Sequence, residues 1–211
     1  MNVLIVTNGN IVKHKKLRQI IPAADFIICA DGGIKHMSKL GLYPDLIVGD
    51  FDSAKKDQLD YYINSGVKLQ KFSADKDQTD THIAVEYAIE AGATNVTFLG
   101  ALGSRFDHSY ANIMLLYRLM KSGINAKIID AHNHIAISSG IIEIEGNVGQ
   151  ILSLLPFGVN ACIAETQGLK YSITNRDLPL DDPYGISNIF ASPKAVITIK
   201  SGWILAIMAW D

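Results

Sequence analysis

The stretch PDLIVGDFDS, residues 44–53, places a short apolar run directly before two aspartates. The run LIV at 46–48 predicts a buried β-strand, and a period of two beyond it puts Asp50 and Asp52 on one face. In open α/β sheets, ligands gather outside the carboxyl ends of the strands, which is the position of this pair if the strand is central. The stretch therefore predicts an α/β sheet with a ligand site at its carboxyl edge.

A second acidic run, SADKDQTDTH at residues 73–82, contributes Asp75, Asp77 and Asp80. Mg²⁺ prefers six oxygen ligands, and proteins usually hold it with one or two carboxylates plus waters and substrate phosphates. Two aspartate-rich runs near one cleft therefore favour a magnesium site that acts on a polyphosphate.

Helix capping is the alternative explanation for each run taken alone. Asp52 with Ser53 can cap a helix that starts near Ala54, and Asp77 with Asp80 resembles a capping box. The presence of both runs in one chain favours the metal-site interpretation over two independent caps.

Outward from these runs, residues 1–131 alternate between β-branched runs and helical stretches. Such a βα repeat predicts a mostly parallel, Rossmann-like sheet flanked by helices. The predicted strands cover residues 3–7, 26–30, 46–48, 67–71, 96–100 and 126–130, and the predicted helices cover 13–21, 33–40, 54–65, 78–91 and 107–122.

Residues 132–211 lack the helical period, and apolar runs there alternate with turn signals. This pattern predicts a second domain, an antiparallel β-sandwich or barrel of about seven or eight strands. LKYSIT at 169–174 is expected to be one of these strands. NRDLPLDDPYGISN at 175–188 is expected to be a long exposed loop, of a length that is often functional.

Composition excludes several classes of partner. The 211 residues carry 19 basic and 21 acidic side chains, a formal net charge of -2, which argues against nucleic acid and anionic membranes. Cys29 and Cys162 lie in apolar, strand-like runs, as buried free thiols do, which suits a reducing cytoplasm. The N-terminal MNVLIVTNGN has no basic region before its apolar stretch and is expected to be a first strand, not a signal peptide.

A glycine pair follows the second predicted strand, where FIICA runs into Asp31, Gly32 and Gly33. Paired glycines let the backbone approach a ligand, and the helix start that follows can receive phosphate. An ordinary tight turn explains the same residues nearly as well.

The run GALGSRFDH, residues 100–108, places Arg105 at a loop-to-helix junction. Its planar guanidinium can grip phosphate oxygens bidentately, or it can form a salt bridge to Asp107. His108 is either a general base or ligand, or a hydrogen-bonded histidine at a helix start.

In the second half, Ser187 and Asn188 close the long loop and can read the edge of a heterocycle, although turn residues are expected there in any case. Tyr171, Trp203 and Trp210 are expected in the core or at an interface, with stacking on a ligand as the alternative.

Taken in order, CADGG, PDLIVGDFDS, DKDQTDTH, GALGSRFDH and GISN resemble the thiamine pyrophosphokinase family over nearly the whole chain. These motifs are specific as a set, although each alone is not. The resemblance implies transfer of the pyrophosphoryl group of ATP to the hydroxyl of thiamine, giving thiamine diphosphate and AMP, with Mg²⁺. It also implies a nucleotide-binding α/β domain, a thiamine-binding β domain, and a homodimer with active sites at the subunit interface.

Carried onto this chain, the resemblance implies that Asp50, Asp52 and Asp80 hold Mg²⁺ and orient the phosphates, with Asp80 also near thiamine, and that Arg105 acts on the triphosphate. At the thiamine end it implies Ser187 and Asn188, and we expect Trp203 to stack on the substrate. The remaining residues on the nucleotide side are Asp31, Gly32, Gly33, Lys76, Thr79, Asp107, His108 and Asn112.

Two other functions fit the same motifs. One is a Mg²⁺-dependent kinase that moves only the γ-phosphate to another small alcohol. The other is a nucleotide-binding module without catalysis, whose β domain binds a protein.

Overall fold

Apolar β-branched runs such as VLIV and LIVG become parallel strands in the first of two units, Met1–Ala131. The computed structural model describes residues 1–12, 17–52, 54, 56–73 and 77–210. The strands of this unit are β1 Asn2–Val6, β2 Phe26–Ala30, β3 Leu46–Gly49, β4 Lys68–Lys71, β5 Asn95–Leu99 and β6 Asn125–Ile129. Its helices are α1 Leu17–Ile20, α2 Ile34–Leu40, α3 Lys56–Asn64, α4 Asp80–Glu90 and α5 Phe106–Lys121, with a 3₁₀ turn at Asp31–Gly33.

The strand order in this unit is β6-β5-β1-β2-β3-β4, and every pair is parallel. The chain runs from β1 to β4 on one side of β1 and returns to β5 on the other, so the order switches between β1 and β5. The register pairs Val6 with Leu99 and Ala30 with Val48. The loops after these strands therefore leave the sheet at one level, at the carboxyl edge where ligands bind in open α/β sheets.

Burial explains why these strands read as continuous apolar runs. Leu4 and Val6 pack with helix residues such as Ile34 and Met37, while Ile5, which points to the other face, is also fully buried. Helix α4 packs across β1, β2 and β3.

The predictions for this unit are confirmed. Every strand lies within one residue of its predicted ends, and helices α2 to α5 lie within two. The predicted helix at 13–21 appears as α1, Leu17–Ile20, and Lys13–Lys16 lie outside the described residues.

The second unit, His132–Asp211, contains two antiparallel sheets with strand orders β12-β9-β14-β7 and β11-β10-β13-β8. Leu154, Ile163, Phe190 and Ile197 belong to its buried core. The strands are β7 Asn133–Ser138, β8 Ile141–Glu145, β9 Ile151–Pro156, β10 Ala161–Gln167, β11 Thr174–Leu178, β12 Asn188–Ile189, β13 Lys194–Ser201 and β14 Ile204–Ala209. The expected fold class, a parallel α/β part followed by antiparallel β structure, is confirmed.

One strand prediction in this unit is wrong. LKYSIT is a turn segment, in which Leu169 and Ile173 are buried and the Ile173 N–H donates to Thr166 Oγ1 at 2.8 Å. The strand follows at Thr174–Leu178, so it begins at the last residue of the predicted strand and continues into the predicted loop. It is held by backbone pairing with β10 and exposes four of its five side chains, so it has no hydrophobic alternation that a sequence pattern can detect.

Among the described residues, no helix is long and apolar enough to cross a membrane.

Candidate active site

The predicted site residues of the first unit follow strand ends at the carboxyl edge of the sheet. Gly49 contacts Asp31 so closely that a Cβ at Gly49 would lie 2.9 Å from Asp31 Cβ. The Phe72 N–H donates to Gly49 O at 3.0 Å. The loops after β2, β3 and β4 therefore meet around Gly49, directly before Asp50.

The two aspartates after β3 form a hydrogen-bonded turn. The backbone N–H of Asp52 donates to Asp50 Oδ1 at 3.0 Å. Asp50 is half-buried and Asp52 is exposed. Both aspartates therefore lie in a short turn at the sheet edge. The chain is not extended there, because Phe51 has a φ of 66°, and the shared face of the two carboxylates stays a prediction.

Backbone strain is concentrated in the predicted site segments. Among the described residues, the non-glycine residues with positive φ are Asp31 at 35°, Phe51 at 66°, Asn175 at 44° and Ser187 at 58°. All four lie in stretches that the sequence analysis singles out, with Asn175 and Ser187 both in the segment 175–188. Such conformations cost of order 1 to 3 kcal/mol each and often accompany binding and catalysis.

The second acidic run begins helix α4. Thr79 is the N-cap, and its Oγ1 accepts a hydrogen bond from the His82 N–H at 3.2 Å. The capping-box interpretation with Asp77 is therefore wrong, because Asp80 is the first residue of the helix and a hydroxyl caps it. Asp80 still benefits from the positive end of the helix dipole. Asp75, Lys76 and Ser53 lie outside the described residues.

The donor set allows a partial test of the magnesium prediction. In the described part of the chain, no three His, Cys, Asp or Glu side chains are grouped closely enough to hold a metal ion, so Asp80 is not brought into one cluster with Asp50 and Asp52. Magnesium needs only one or two protein carboxylates when substrate phosphates complete its shell. The Asp50 and Asp52 pair fits that requirement.

Arg105 is paired within its own loop. Its Nη2 lies 2.5 Å from Asp107 Oδ2 and its Nε lies 3.2 Å from Asp107 Oδ1, and both side chains are largely exposed. The hydrogen bonds from Arg105 hold the pKa of the Asp107 carboxyl below its usual range. The salt bridge expected as one alternative is therefore present, in a solvent-exposed and weakly held form.

The start of α5 is tied to the loop before it. Ser109 Oγ accepts a hydrogen bond from the Gly103 N–H at 3.1 Å, and Asn112 Nδ2 donates to Ala101 O at 2.7 Å. Asn112 is buried, whereas His108 is exposed. Asn112 therefore supports the loop that leads to Arg105, and its nucleotide-binding role stays a prediction.

The glycine pair after β2 is used for internal packing. A Cβ on Gly32 would lie 2.5 Å from Asn8 Cγ, and a Cβ on Gly33 would lie 2.4 Å from Val6 O. The two glycines let the loop after β1 pack closely against this turn. Their predicted approach to a ligand stays a prediction.

In the second unit, Asn188 is buried and both the oxygen and the nitrogen of its amide are hydrogen-bonded. Its Oδ1 accepts from the Tyr171 and Ile189 N–H groups at 3.1 and 2.8 Å, and its Nδ2 donates to Tyr171 O at 2.7 Å. The exposed Ser187 donates its backbone N–H to Ser153 Oγ at 3.0 Å, and Trp203 is half-buried. Ser187 thus has the better placed side chain for a ligand, while Asn188 holds the Tyr171 turn.

Sequence reasoning missed the loop after β1, Thr7–Asn10, and its partners on α2. Lys35 Nζ lies 2.5 Å from Asn8 O, and His36 Nε2 lies 2.7 Å from Gly9 O. Burial lowers the pKa of His36 below its ordinary value, against an opposing effect of the Gly9 hydrogen bond. The TNGN run after VLIV was the available signal, because it is a turn sequence at a strand end.

Comparisons with known proteins agree with these motifs. The family model for the thiamin pyrophosphokinase catalytic domain matches residues 17–128, and that for the thiamin pyrophosphokinase vitamin B1 binding domain matches residues 139–204. Thiamine pyrophosphokinase of Bacillus subtilis strain 168 is 29% identical over 186 residues, which is 87% of each chain. Thiamine pyrophosphokinase 1 of Arabidopsis thaliana is 29% identical over 226 residues, covering 92% of this chain and 79% of that protein.

Solved structures show the same fold. The crystal structure of the Bacillus subtilis thiamine pyrophosphokinase superposes with a TM-score of 0.88 at 26% identity, covering all of both chains. The yeast thiamin pyrophosphokinase gives a TM-score of 0.81 at 20% identity, covering 99% of this chain and 86% of that chain. The resemblance seen in the sequence is thus confirmed. The chain belongs to the thiamine pyrophosphokinase family of transferases.

Proposed function

We propose that this protein transfers the pyrophosphoryl group of ATP to the hydroxyl of thiamine, giving thiamine diphosphate and AMP. The observation that carries the proposal is the pair of carboxylates, Asp50 and Asp52, at the carboxyl edge of the sheet, with Arg105 on another loop of that edge. Transfer of a group from a polyphosphate needs these charged side chains, because they hold the cation and the phosphate oxygens and so compensate negative charge. The names of the related enzymes supply the substrate.

Mg²⁺ is proposed as the metal, with Asp50 and Asp52 as its protein ligands. When bound, it would neutralise phosphate charge. Asp80, at the first position of α4, is proposed to orient the phosphates.

The contribution of the protein side chains is positioning and charge compensation. Transfer requires the thiamine hydroxyl to lie in line with the β-phosphorus and the departing AMP. Arg105 exchanges its exposed partner Asp107 for phosphate oxygens, which can accept the same bidentate pair of hydrogen bonds. This exchange costs little free energy, because a solvent-exposed ion pair such as Arg105–Asp107 contributes little to stability.

At the thiamine end, Ser187 is the stronger candidate for a direct contact and Trp203 is proposed to stack on the substrate. Asn188 is assigned an indirect role, because its three hydrogen bonds already fix the turn at Tyr171. Thiamine carries a cationic thiazolium ring, and an acidic edge tolerates that charge where an anionic acceptor would be repelled.

We further propose a cytoplasmic homodimer with active sites at the subunit interface. The buried thiols Cys29 and Cys162 suit a reducing compartment. Sedimentation of the 23.0 kDa chain as a single-chain species at micromolar concentration would contradict the dimer.

The proposal is tested by AMP release. Purified protein is incubated with ATP and Mg²⁺, with and without thiamine, and nucleotides are separated by chromatography. The expected result is AMP that forms only with thiamine and in equal amount to thiamine diphosphate. ADP as the thiamine-dependent product would indicate the γ-phosphate kinase, and ATP binding without turnover would indicate the binding module.

A further inference from the structure

The loop after β1, Thr7–Asn10, lies at the point where the strand order switches, between β1 and β5. It precedes residue 17, where the match to the catalytic-domain family model begins. Its position and contacts nevertheless connect it to the loop that carries Arg105.

The connection to that loop runs through backbone atoms. The Thr7 N–H donates to Leu99 O at 2.9 Å, and the Gly9 N–H donates to Gly100 O at 2.7 Å. A Cβ on Gly9 would lie 2.3 Å from the carbonyl oxygens of both Gly100 and Leu102. The loops after β1 and β5 are thus in direct backbone contact, with no side chain between them. A displacement of one loop is expected to displace the other.

Helix α2 holds the opposite side of the loop. The ammonium of Lys35 donates to Asn8 O at 2.5 Å and to Asn8 Oδ1 at 2.6 Å. The imidazole of His36 donates from Nε2 to Gly9 O at 2.7 Å. Two consecutive side chains therefore secure two consecutive carbonyls of a loop that has no regular secondary structure.

We propose that Lys35 and His36 are positioning residues for the transfer reaction. By holding the Asn8 and Gly9 carbonyls, they press the β1 loop against Gly100–Leu102 and so set the place of Arg105 relative to the phosphates. This inference rests on the proposed function. Misplacement of a catalytic group by about 1 Å can cost about a hundredfold in rate, so a support of this kind affects kcat without touching substrate.

The test combines two variants with a matched control. Lys35→Met removes an exposed donor without disturbing the core, and His36→Leu removes the buried donor. Lys39→Met removes a lysine from the last turn of the same helix and leaves the loop contacts in place. His36→Gln keeps an N–H donor at similar reach and is expected to restore most of what His36→Leu loses.

The first readout does not depend on activity. Amide hydrogen exchange of the free protein, followed in peptides covering residues 7–10 and 99–105, should be about fivefold faster in Lys35→Met and His36→Leu, the effect of losing one hydrogen bond. Lys39→Met should exchange like the wild type. The second readout is steady-state kinetics, in which kcat should fall about tenfold while KM for thiamine changes less than twofold.

The outcomes separate clearly. Faster exchange in both loops together with the fall in kcat supports the proposal. A fall in kcat with unchanged exchange would overturn it, because Lys35 would then act on substrate directly, and faster exchange with unchanged kcat would overturn it by making the contacts mere packing. Absence of thiamine-dependent AMP from the wild type would defeat the proposed function itself, which is a different result.

Discussion

At the scale of single residues, the chemistry rests on charges placed at strand ends. Asp50 and Asp52 are two like charges in one turn, and the Asp52 N–H satisfies one oxygen of Asp50. In the proposed site, these two carboxylates would hold a divalent cation together with substrate phosphates.

Removing these charges should stop the reaction without unfolding the protein. We expect Asp50→Asn, Asp52→Asn and Asp80→Asn each to lower kcat at least about a hundredfold. Asp50→Asn and Asp52→Asn each remove a charged oxygen for Mg²⁺, and Asp80→Asn removes the carboxylate proposed to orient the phosphates. Circular dichroism should stay unchanged, and higher Mg²⁺ should partly rescue the weaker variants. Near-normal AMP production by all three would refute the metal-site proposal.

Arg105→Lys tests whether the guanidinium grips phosphate or only Asp107. An ammonium cannot reproduce a bidentate contact that strengthens as charge develops, so we expect kcat to fall by about tenfold or more. Asp107→Asn serves as the control, because it frees Arg105 without removing it. If the lysine variant keeps more than about half of the wild-type kcat, Arg105 serves only the loop, and a change confined to KM would mean ground-state binding alone.

Protonation of His36 is expected to make the free energy of unfolding depend on pH. Its folded-state pKa lies below the ordinary value of 6.5, chiefly because it is buried. As pH falls through about 6.5 the unfolded chain takes up this proton first, so the free energy of unfolding should decrease, by at most about 1.4 kcal/mol per pH unit for one proton. Urea unfolding at several pH values between 7.5 and 5 measures the slope. His36→Gln should show a shallower slope, and an unchanged slope would exclude His36 as its source.

At the scale of elements, the parallel strands were predictable because they are buried on both faces and read as apolar runs. Strand β11 was not, because four of its five side chains are exposed and its pairing with β10 uses only the backbone. The contacts by which Lys35 and His36 hold the loop after β1 were not predictable from the sequence either. They depend on other contacts, such as Gly9 with Gly100, which no local pattern encodes.

The candidate site was predictable only in part. The carboxyl-edge location of Asp31, Asp50 and Arg105 follows from their places after predicted strands, and the structure puts them there. The partners of Asn188 were not predictable, since a buried amide that holds a turn and a ligand-facing amide have the same sequence signature. Whether these residues bind substrate stays a prediction.

The turn at Tyr171 gives a test at this scale. Asn188→Ala removes three hydrogen bonds from a buried site, so we expect a loss of about 2 to 4 kcal/mol in unfolding free energy. Ser187→Ala should leave stability within about 0.5 kcal/mol and weaken thiamine binding instead. Thermal unfolding and isothermal titration with thiamine distinguish the two. Unchanged thiamine affinity in Ser187→Ala would remove Ser187 from the substrate site.

At the scale of the whole molecule, two differently built units match two different family models in chain order. The first unit offers a guanidinium, which can bind phosphate oxygens, and carboxylates, which can hold the proposed Mg²⁺. The second offers a strained Ser187 beside a rigid turn and aromatic side chains, which suit a heterocycle. In the proposed function, the first unit binds the phosphates and the second binds thiamine.

Pyrophosphoryl transfer moves two phosphorus atoms of ATP together, and a label on the β-phosphorus shows where they go. ATP carrying ³²P only at the β position is incubated with the protein, Mg²⁺ and thiamine, and the products are separated. We predict that the label appears in thiamine diphosphate and that the nucleotide product, AMP, is unlabelled. Label retained in ADP, with none in a thiamine product, would contradict pyrophosphoryl transfer and show that only the γ-phosphate moves.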